Sequence, residues 1–199
     1  LGRIDLSDWH SQMNWLLDHC HITKCTLIGV SMGGVIAQSF VVEYPNRVEK
    51  MVLADTFGEL RTPTEKLLGF SQVVGFQLFK LLGKSLLASA MRSAYTADYA
   101  QTAQDYFGNV SLRADLKQLI LARQAINRID VLDSLKDVEI PALVIVGKDA
   151  GQWFVEMNQK IANALPRAKF VILENSMDPS NLVNPTDFDQ QVLTFLQAN

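Results

Sequence analysis

Apolar and polar positions alternate along this chain in ways that mark its elements before any motif is considered. Over residues 7–20, Trp9, Met13, Leu16, Leu17 and Cys20 recur at the spacing of one helical face, with Asp5 or Ser7 placed to cap it. The run KCTLIGV, residues 24–30, is too continuously apolar for a half-exposed strand and predicts one covered on both faces. GGVIAQSFVVEY predicts a helix that Pro45 stops, and VEKMVLAD predicts a second strand. Residues 62–127 change character. They are rich in leucine, alanine and glutamine and show no strand-like alternation, which predicts several helices broken at Gly69, Gly75, Gly83 and Gly108.

Strand and helix patterns then resume. ALVIV reads as a strand, WFVEMNQKIANAL as a helix and KFVIL as a strand. The last helix opens at NPTD, with Asn184 as cap and Pro185 at the first helical position. Its apolar stripe is Phe188, Val192, Phe195 and Leu196. Strands alternating with helices imply an α/β protein with a mostly parallel sheet covered by helices on both faces. The domain reading is a core of residues 1–61 and 128–199, with 62–127 as a helical insertion.

Composition narrows the function classes. A chain of 199 residues with 48% hydrophobic and 20% charged residues suits one ordinary globular domain, or a domain with an insertion. The net charge is −3 and no basic block is present, so neither nucleic acid nor an anionic membrane surface is an expected partner. The longest uncharged apolar run, residues 67–79 between Lys66 and Lys80, falls short of the roughly 20 residues that span a bilayer. Cys20 and Cys25 form neither a disulfide framework nor a metal site by spacing, and a reduced, cytoplasmic setting is expected. No metal and no cofactor is expected.

The chemistry is concentrated at Gly29-Val30-Ser31-Met32-Gly33, a G-x-S-x-G pattern between a predicted strand and a predicted helix. Small residues at 29 and 33 leave room for a tight crossing, and Gly34 lets the helix pack on its strand. The helix N-terminus points at the serine, so the Met32 N–H can donate to a developing oxyanion. Ser31 is the candidate nucleophile.

With these residues the chain resembles the α/β-hydrolase superfamily. LIGVSMGGVIAQ is similar to the nucleophile elbow of small esterases, enol-lactonases and carbon–carbon bond hydrolases. VEKMVLADT resembles the following strand. The helical stretch 62–127 sits where the family carries a cap over its active site. IPALVIVGKDA resembles the segment that delivers the family's acid, and ILENSMDPSNLVNPTDF the segment that delivers its histidine.

The resemblance also marks departures. Asp178 stands at the histidine position, and no histidine follows residue 21. His10 and His19 flank the first helix as surface or boundary residues, and His21 lies at the end of the first strand remote from Ser31. Ala150 stands at the usual acid position, with Asp149 one residue early and Asp55, ending the second strand, as the alternative acid. Asp55 also reads simply as a turn or capping residue.

A serine needs an adjacent base, and an ordinary carboxylate with pKa near 4 is a poorer one than imidazole near 6.5. Burial raises a carboxylate pKa without making the match equal. Only one helix precedes the elbow, and the chain begins at Leu1. The resemblance therefore implies that earlier strands, and the loop giving a second oxyanion donor, lie outside these residues. The first strand then carries an open edge, which predicts a homo-oligomer or complex covering it.

The functional expectation is a serine hydrolase of small apolar ester, lactone or related carbonyl substrates. Phe70, Phe76, Phe79, Tyr95 and Phe107 of the helical stretch read either as the lining of its pocket or, more often for such residues, as the core of the cap, and its turnover is expected to be impaired at Asp178. The alternatives are a catalytically silent homologue that binds a small apolar ligand or a protein partner, and an inactive fragment of a longer hydrolase.

Overall fold

The computed structural model describes residues 2–198. In chain order its elements are α1 (Leu6–His19), β1 (Cys25–Val30), α2 (Met32–Glu43), β2 (Val48–Ala54), α3 (Pro63–Leu82), α4 (Lys84–Ala94), α5 (Gln101–Arg113), α6 (Leu116–Ile126), the single turn α7 (Leu132–Leu135), β3 (Ala142–Gly147), α8 (Gln152–Ala164), β4 (Ala168–Leu173), the single turn α9 (Ser180–Val183) and α10 (Pro185–Gln197). The described strands form one parallel sheet in the order β1-β2-β3-β4.

Alternation along the central strands builds two layers. Met51 and Leu53 of β2 and Val144 of β3 pack with Phe40, Val41 and Ile161 from α2 and α8. Val52, Ala54, Leu143 and Ile145 pack with Phe188 and Val192 of α10. Asn184 caps α10 by accepting the Asp187 N–H at 3.3 Å, as its sequence predicts.

β1 departs from its prediction as a fully covered strand. It is only partly covered, and Ile28 is 51% exposed, whereas its open edge is the one expected: it pairs with β2 on one side, and no described strand pairs with the other. α1 is also turned from its predicted face. Leu6, Trp9, His10, Met13 and Leu17 point inward, while Leu16 is exposed and Cys20 lies at the surface. The reason is local: α2 offers Glu43 and the rings of Phe40 and Tyr44, and His10 fills the space between them. His10 is therefore buried, not a surface residue. Its Nδ1 lies 2.5 Å from Glu43 Oε2, and its ring meets Phe40 edge-on.

Of the four predicted glycine breaks, only Gly83 ends a helix, at φ 104°. Gly69 and Gly75 lie inside α3 and Gly108 inside α5. Gly69 and Gly108 serve close packing instead. A Cβ at Gly69 would come within 3.0 Å of the Asn127 side chain on α6, and one at Gly108 within 2.5 Å of Arg92 on α4.

Helices α3–α6 leave and rejoin the sheet at one joint. Glu59 and Asp130 form an isolated antiparallel bridge there. Arg61 spans the joint, reaching Glu59 at 3.1 Å, Asp130 at 2.6 Å and Asp133 at 2.8 Å. No helix of the described chain is long and apolar enough to cross a membrane.

Candidate active site

The turn between β1 and α2 holds Ser31 at φ 51°, ψ −115°, a left-handed backbone that a non-glycine residue adopts only when its surroundings impose it. The surroundings are specific. Ser31 N–H donates to Ala54 O at 2.8 Å, and Ser31 O accepts the Thr56 hydroxyl at 2.9 Å. A Cβ on Gly29 would lie 2.5 Å from Gly33 O, and one on Gly34 would lie 2.6 Å from the Thr56 side chain. Those two glycines are sterically required. Gly33 is not, since a Cβ there meets nothing within 4 Å. The requirement at 33 thus falls on its backbone, which Gly29 must clear. The Met32 N–H opens α2 and donates to no other backbone group among the described residues.

Ser31 Oγ donates to Asp178 Oδ2 at 3.3 Å, across 147 residues of sequence. The segment carrying Asp178 is pinned at several points. Asp149 N–H donates to Ser176 O at 2.8 Å, and the Tyr95 hydroxyl donates to Asp178 O at 3.0 Å. At Gly147 the backbones run so close that a Cβ would sit 2.4 Å from the Ser176 carbonyl carbon.

Asp55, at the end of β2, is fully buried beside them. Its Oδ1 takes the Gly147 N–H at 2.9 Å and its Oδ2 the Ser180 N–H at 2.6 Å. Burial nevertheless pushes its carboxyl above the usual range. Burial likewise pushes Asp178 up to about 7, and the neighbouring Asp55 charge adds to the rise. The Ser31 hydrogen bond and the Arg123 charge oppose it. Asp178 is thus a carboxyl group with the titration range of an imidazole.

The other acid candidate lies elsewhere. Asp149 accepts the Tyr99 hydroxyl at 2.6 Å and does not line the cavity, whereas Ala150 does. The shift of one residue turns the carboxylate out of the site, as expected where a strand ends.

Ser31, Asp55 and Asp178 form the floor of a cavity of about 290 Å³. Its apolar wall is Phe57, Leu60, Leu68, Trp153, Phe154 and Met157. None of the five aromatic residues singled out in the helical stretch lines it. Phe70 is 63% exposed, and Tyr95 stacks on Phe107, with ring centroids 5.4 Å apart, in a separate cluster. The α3 face that reaches the cavity is the one bearing Glu65, Leu68, Gly69 and Gln72.

Arg123 of α6 also lines the cavity, and sequence reasoning missed it. Leu116, Ile120, Arg123 and Asn127 fall at helical spacing, so an arginine on a stripe that starts apolar was the available signal. Among the described residues no group of three or more metal-ligating side chains is present.

A serine on a strand–turn–helix corner, hydrogen-bonded to the half-buried Asp178 beside the buried Asp55 at one end of a parallel sheet, defines a class of α/β folds. The family profile described as the alpha/beta hydrolase fold matches residues 4–185, and the chain belongs to that family. Among curated relatives, the 3-oxoadipate enol-lactonase 2 of Acinetobacter baylyi is 25% identical over 183 residues, covering 89% of this chain and 65% of that protein. The enol-lactonase from Burkholderia xenovorans superposes with a TM-score of 0.81 at 22% identity, covering 98% of this chain and 74% of that one. An esterase from Thermogutta terrifontis superposes with a TM-score of 0.83 at 21% identity, covering 98% and 73%. The last two likenesses establish the fold.

Proposed function

We propose that this chain carries the serine site of a hydrolase acting on small ester, lactone or related carbonyl compounds, with Ser31 as nucleophile and Asp178 as its base. The observation that carries the reading is the Ser31–Asp178 hydrogen bond of 3.3 Å on the floor of an apolar cavity. Oγ attacks the carbonyl carbon while its proton passes to Asp178 Oδ2. The carbonyl π pair moves onto oxygen, where the Met32 N–H donates to it. Collapse of this intermediate expels the alkoxide, which takes the proton back from Asp178. Water then attacks the acyl-serine, giving its proton to Asp178, and the released Oγ recovers one. Helices α3–α6 act as the cap.

Raised to about 7, Asp178 comes closer to imidazole as an acceptor for this proton than an ordinary carboxylate does, without equalling it. It lacks imidazole's second nitrogen, so Asp55 cannot orient it through a relayed hydrogen bond. One oxyanion donor is identified in these residues, and each donor is worth about 10²–10³ in rate. Turnover by this chain alone is therefore expected to be slow.

The test is labelling by a fluorophosphonate together with hydrolysis of p-nitrophenyl acetate. The reading requires both, with loss of both in Ser31→Ala. It also requires hydrolysis to climb with pH through about 7 and that limb to vanish in Asp178→Asn. An unlabelled, inactive wild type refutes it and leaves the ligand-binding homologue.

A further inference from the structure

Arg123 is the cation in this cavity, and the protein gives it nothing to hold. Its Nε is buried without a hydrogen-bond partner, and its guanidinium forms no salt bridge among the described residues. Three other arginines show the paired alternative: Arg47 reaches Asp18, Arg61 reaches Asp133 and Arg128 reaches Asp5. Arg123 is held by its plane instead, with Cζ 5.4 Å from the Phe57 ring centroid. A rigid, stacked guanidinium with free donors facing an apolar cavity is the arrangement that receives a planar anion.

The charged and titratable neighbours can be named from each side. The sheet floor contributes Asp178 and Asp55, and Asp55 already has a backbone N–H on each oxygen. From α3 comes Glu65, whose Oε2 takes the Arg61 and Thr62 N–H groups at 2.9 Å and whose Oε1 takes Lys160 of α8 at 3.3 Å. Tyr95 spends its hydroxyl on Asp178 O. The acid of α2, Glu43, pairs with His10 at the far end of that helix. Asp178 is the remaining counter-charge, and it lies beyond salt-bridge distance.

We propose that Arg123 binds a carboxylate carried by the carbonyl compound, and that this carboxylate competes with Asp178 for it. The carbonyl half of this statement rests on Ser31 being the nucleophile; the anion subsite does not. The competition has a thermodynamic signature. Ionised Asp178 and a bound carboxylate share one cation, so the ligand binds best when Asp178 carries its proton. Binding near neutral pH then takes up a proton from solvent, and affinity for the anion falls as pH rises.

The probes are 4-oxopentanoate, 5-oxohexanoate and 6-oxoheptanoate, each beside its primary amide. They contain no ester bond, so calorimetry on the wild-type chain reports binding independently of turnover. At pH 6 at least one acid is expected to bind at least about tenfold more tightly than its amide. That preference is expected to disappear in Arg123→Gln and to survive in part in Arg123→Lys, in variants whose circular dichroism and melting match wild type. From pH 6 to pH 8 the acid is expected to weaken by about tenfold in wild type and to stay constant in Asp178→Asn. Equal affinities for every acid and amide, including no measurable binding of either, overturn the subsite, as does a preference that outlives Arg123→Gln. A pH dependence that persists in Asp178→Asn overturns the competition. Loss of p-nitrophenyl acetate hydrolysis with the acid preference intact counts against the hydrolase reading alone.

Discussion

Asp178→Asn is expected to stabilise the protein at neutral and alkaline pH, the reverse of the usual result for removing a carboxylate. Burial and the Asp55 charge move the Asp178 pKa from 3.8 to about 7. Because the folded pKa is raised, the contribution to stability is fully present below the unfolded value near 4. It is lost as pH rises through the folded value near 7. At about 1.4 kcal/mol per unit, the whole shift corresponds to roughly 4 kcal/mol, of which about 3 falls between pH 5 and pH 8. Solvent reaching the cavity mouth lowers that figure, so about 1–3 kcal/mol is the expected reading. Asparagine keeps an oxygen to accept the Ser31 hydroxyl and does not titrate. Urea unfolding of wild type and Asp178→Asn at pH 5 and pH 8 therefore reads the effect as a difference of differences, in which titration of groups not coupled to Asp178 cancels. The wild type should lose stability relative to the variant on going to pH 8. A gap that stays constant, or that moves in favour of wild type, would show that Asp178 ionises freely in the fold and would remove the physical basis for its acting as a base.

Three further outcomes follow from the same geometry. Gly29→Ala should cost several kcal/mol, because its Cβ would meet the Gly33 carbonyl at 2.5 Å, whereas Gly33→Ala should be neutral or stabilising by up to about 1 kcal/mol; thermal melts that rank them the other way contradict the elbow geometry. Asp55→Asn removes the charge that helps raise Asp178, so the rising limb of the pH–rate profile should move to lower pH, and an unmoved limb would break the coupling between the two carboxyls. The uncovered edge of β1, with Ile28 half exposed, should drive self-association of this 199-residue chain; light scattering from a stable monomer whose β1 amides resist exchange would refute that.

The alternation of strands and helices was legible because the central strands are covered on both faces and read as unbroken apolar runs, while the last helix carries an explicit cap at Asn184. The turn at Ser31 was legible because its backbone conformation demands glycine at fixed offsets. The composition of CTLIGV alone reads like the buried β2, so the open edge of β1 was legible only through the family resemblance, which places further strands before the first helix, and not through the apolar pattern. Helical glycines misled for a related reason: Gly69 and Gly108 answer to a helix packed across from them, a partner that local sequence does not record. The cap aromatics could be read as pocket lining or as cap core, and the sequence could not choose, because hydrophobicity identifies which residues avoid water but not which side of a helix meets the sheet; none of them lines the cavity, and Tyr95 and Phe107 are cap core. The free guanidinium of Arg123 was invisible for the same reason, since having no partner is a property of three-dimensional surroundings.

The joint at Glu59, Arg61 and Asp130 bears on how such a molecule diversifies. A segment whose two ends emerge side by side is a loop in the polymer sense, however much helix it contains. The entropy of closing a loop grows only with the logarithm of its length, so doubling the segment adds only about 0.6 kcal/mol. The helical block can therefore lengthen, shrink or be exchanged with little strain on the sheet. Ser31, Asp55 and Asp178 stand on the sheet side of the joint, and Leu68, Gln72 and Arg123 on the other. On the proposed reading the reacting groups and part of the apolar wall stay with the sheet while Arg123 travels with the helical block, and a graft of residues 62–127 between relatives should carry the anion preference with it while leaving the serine turn intact.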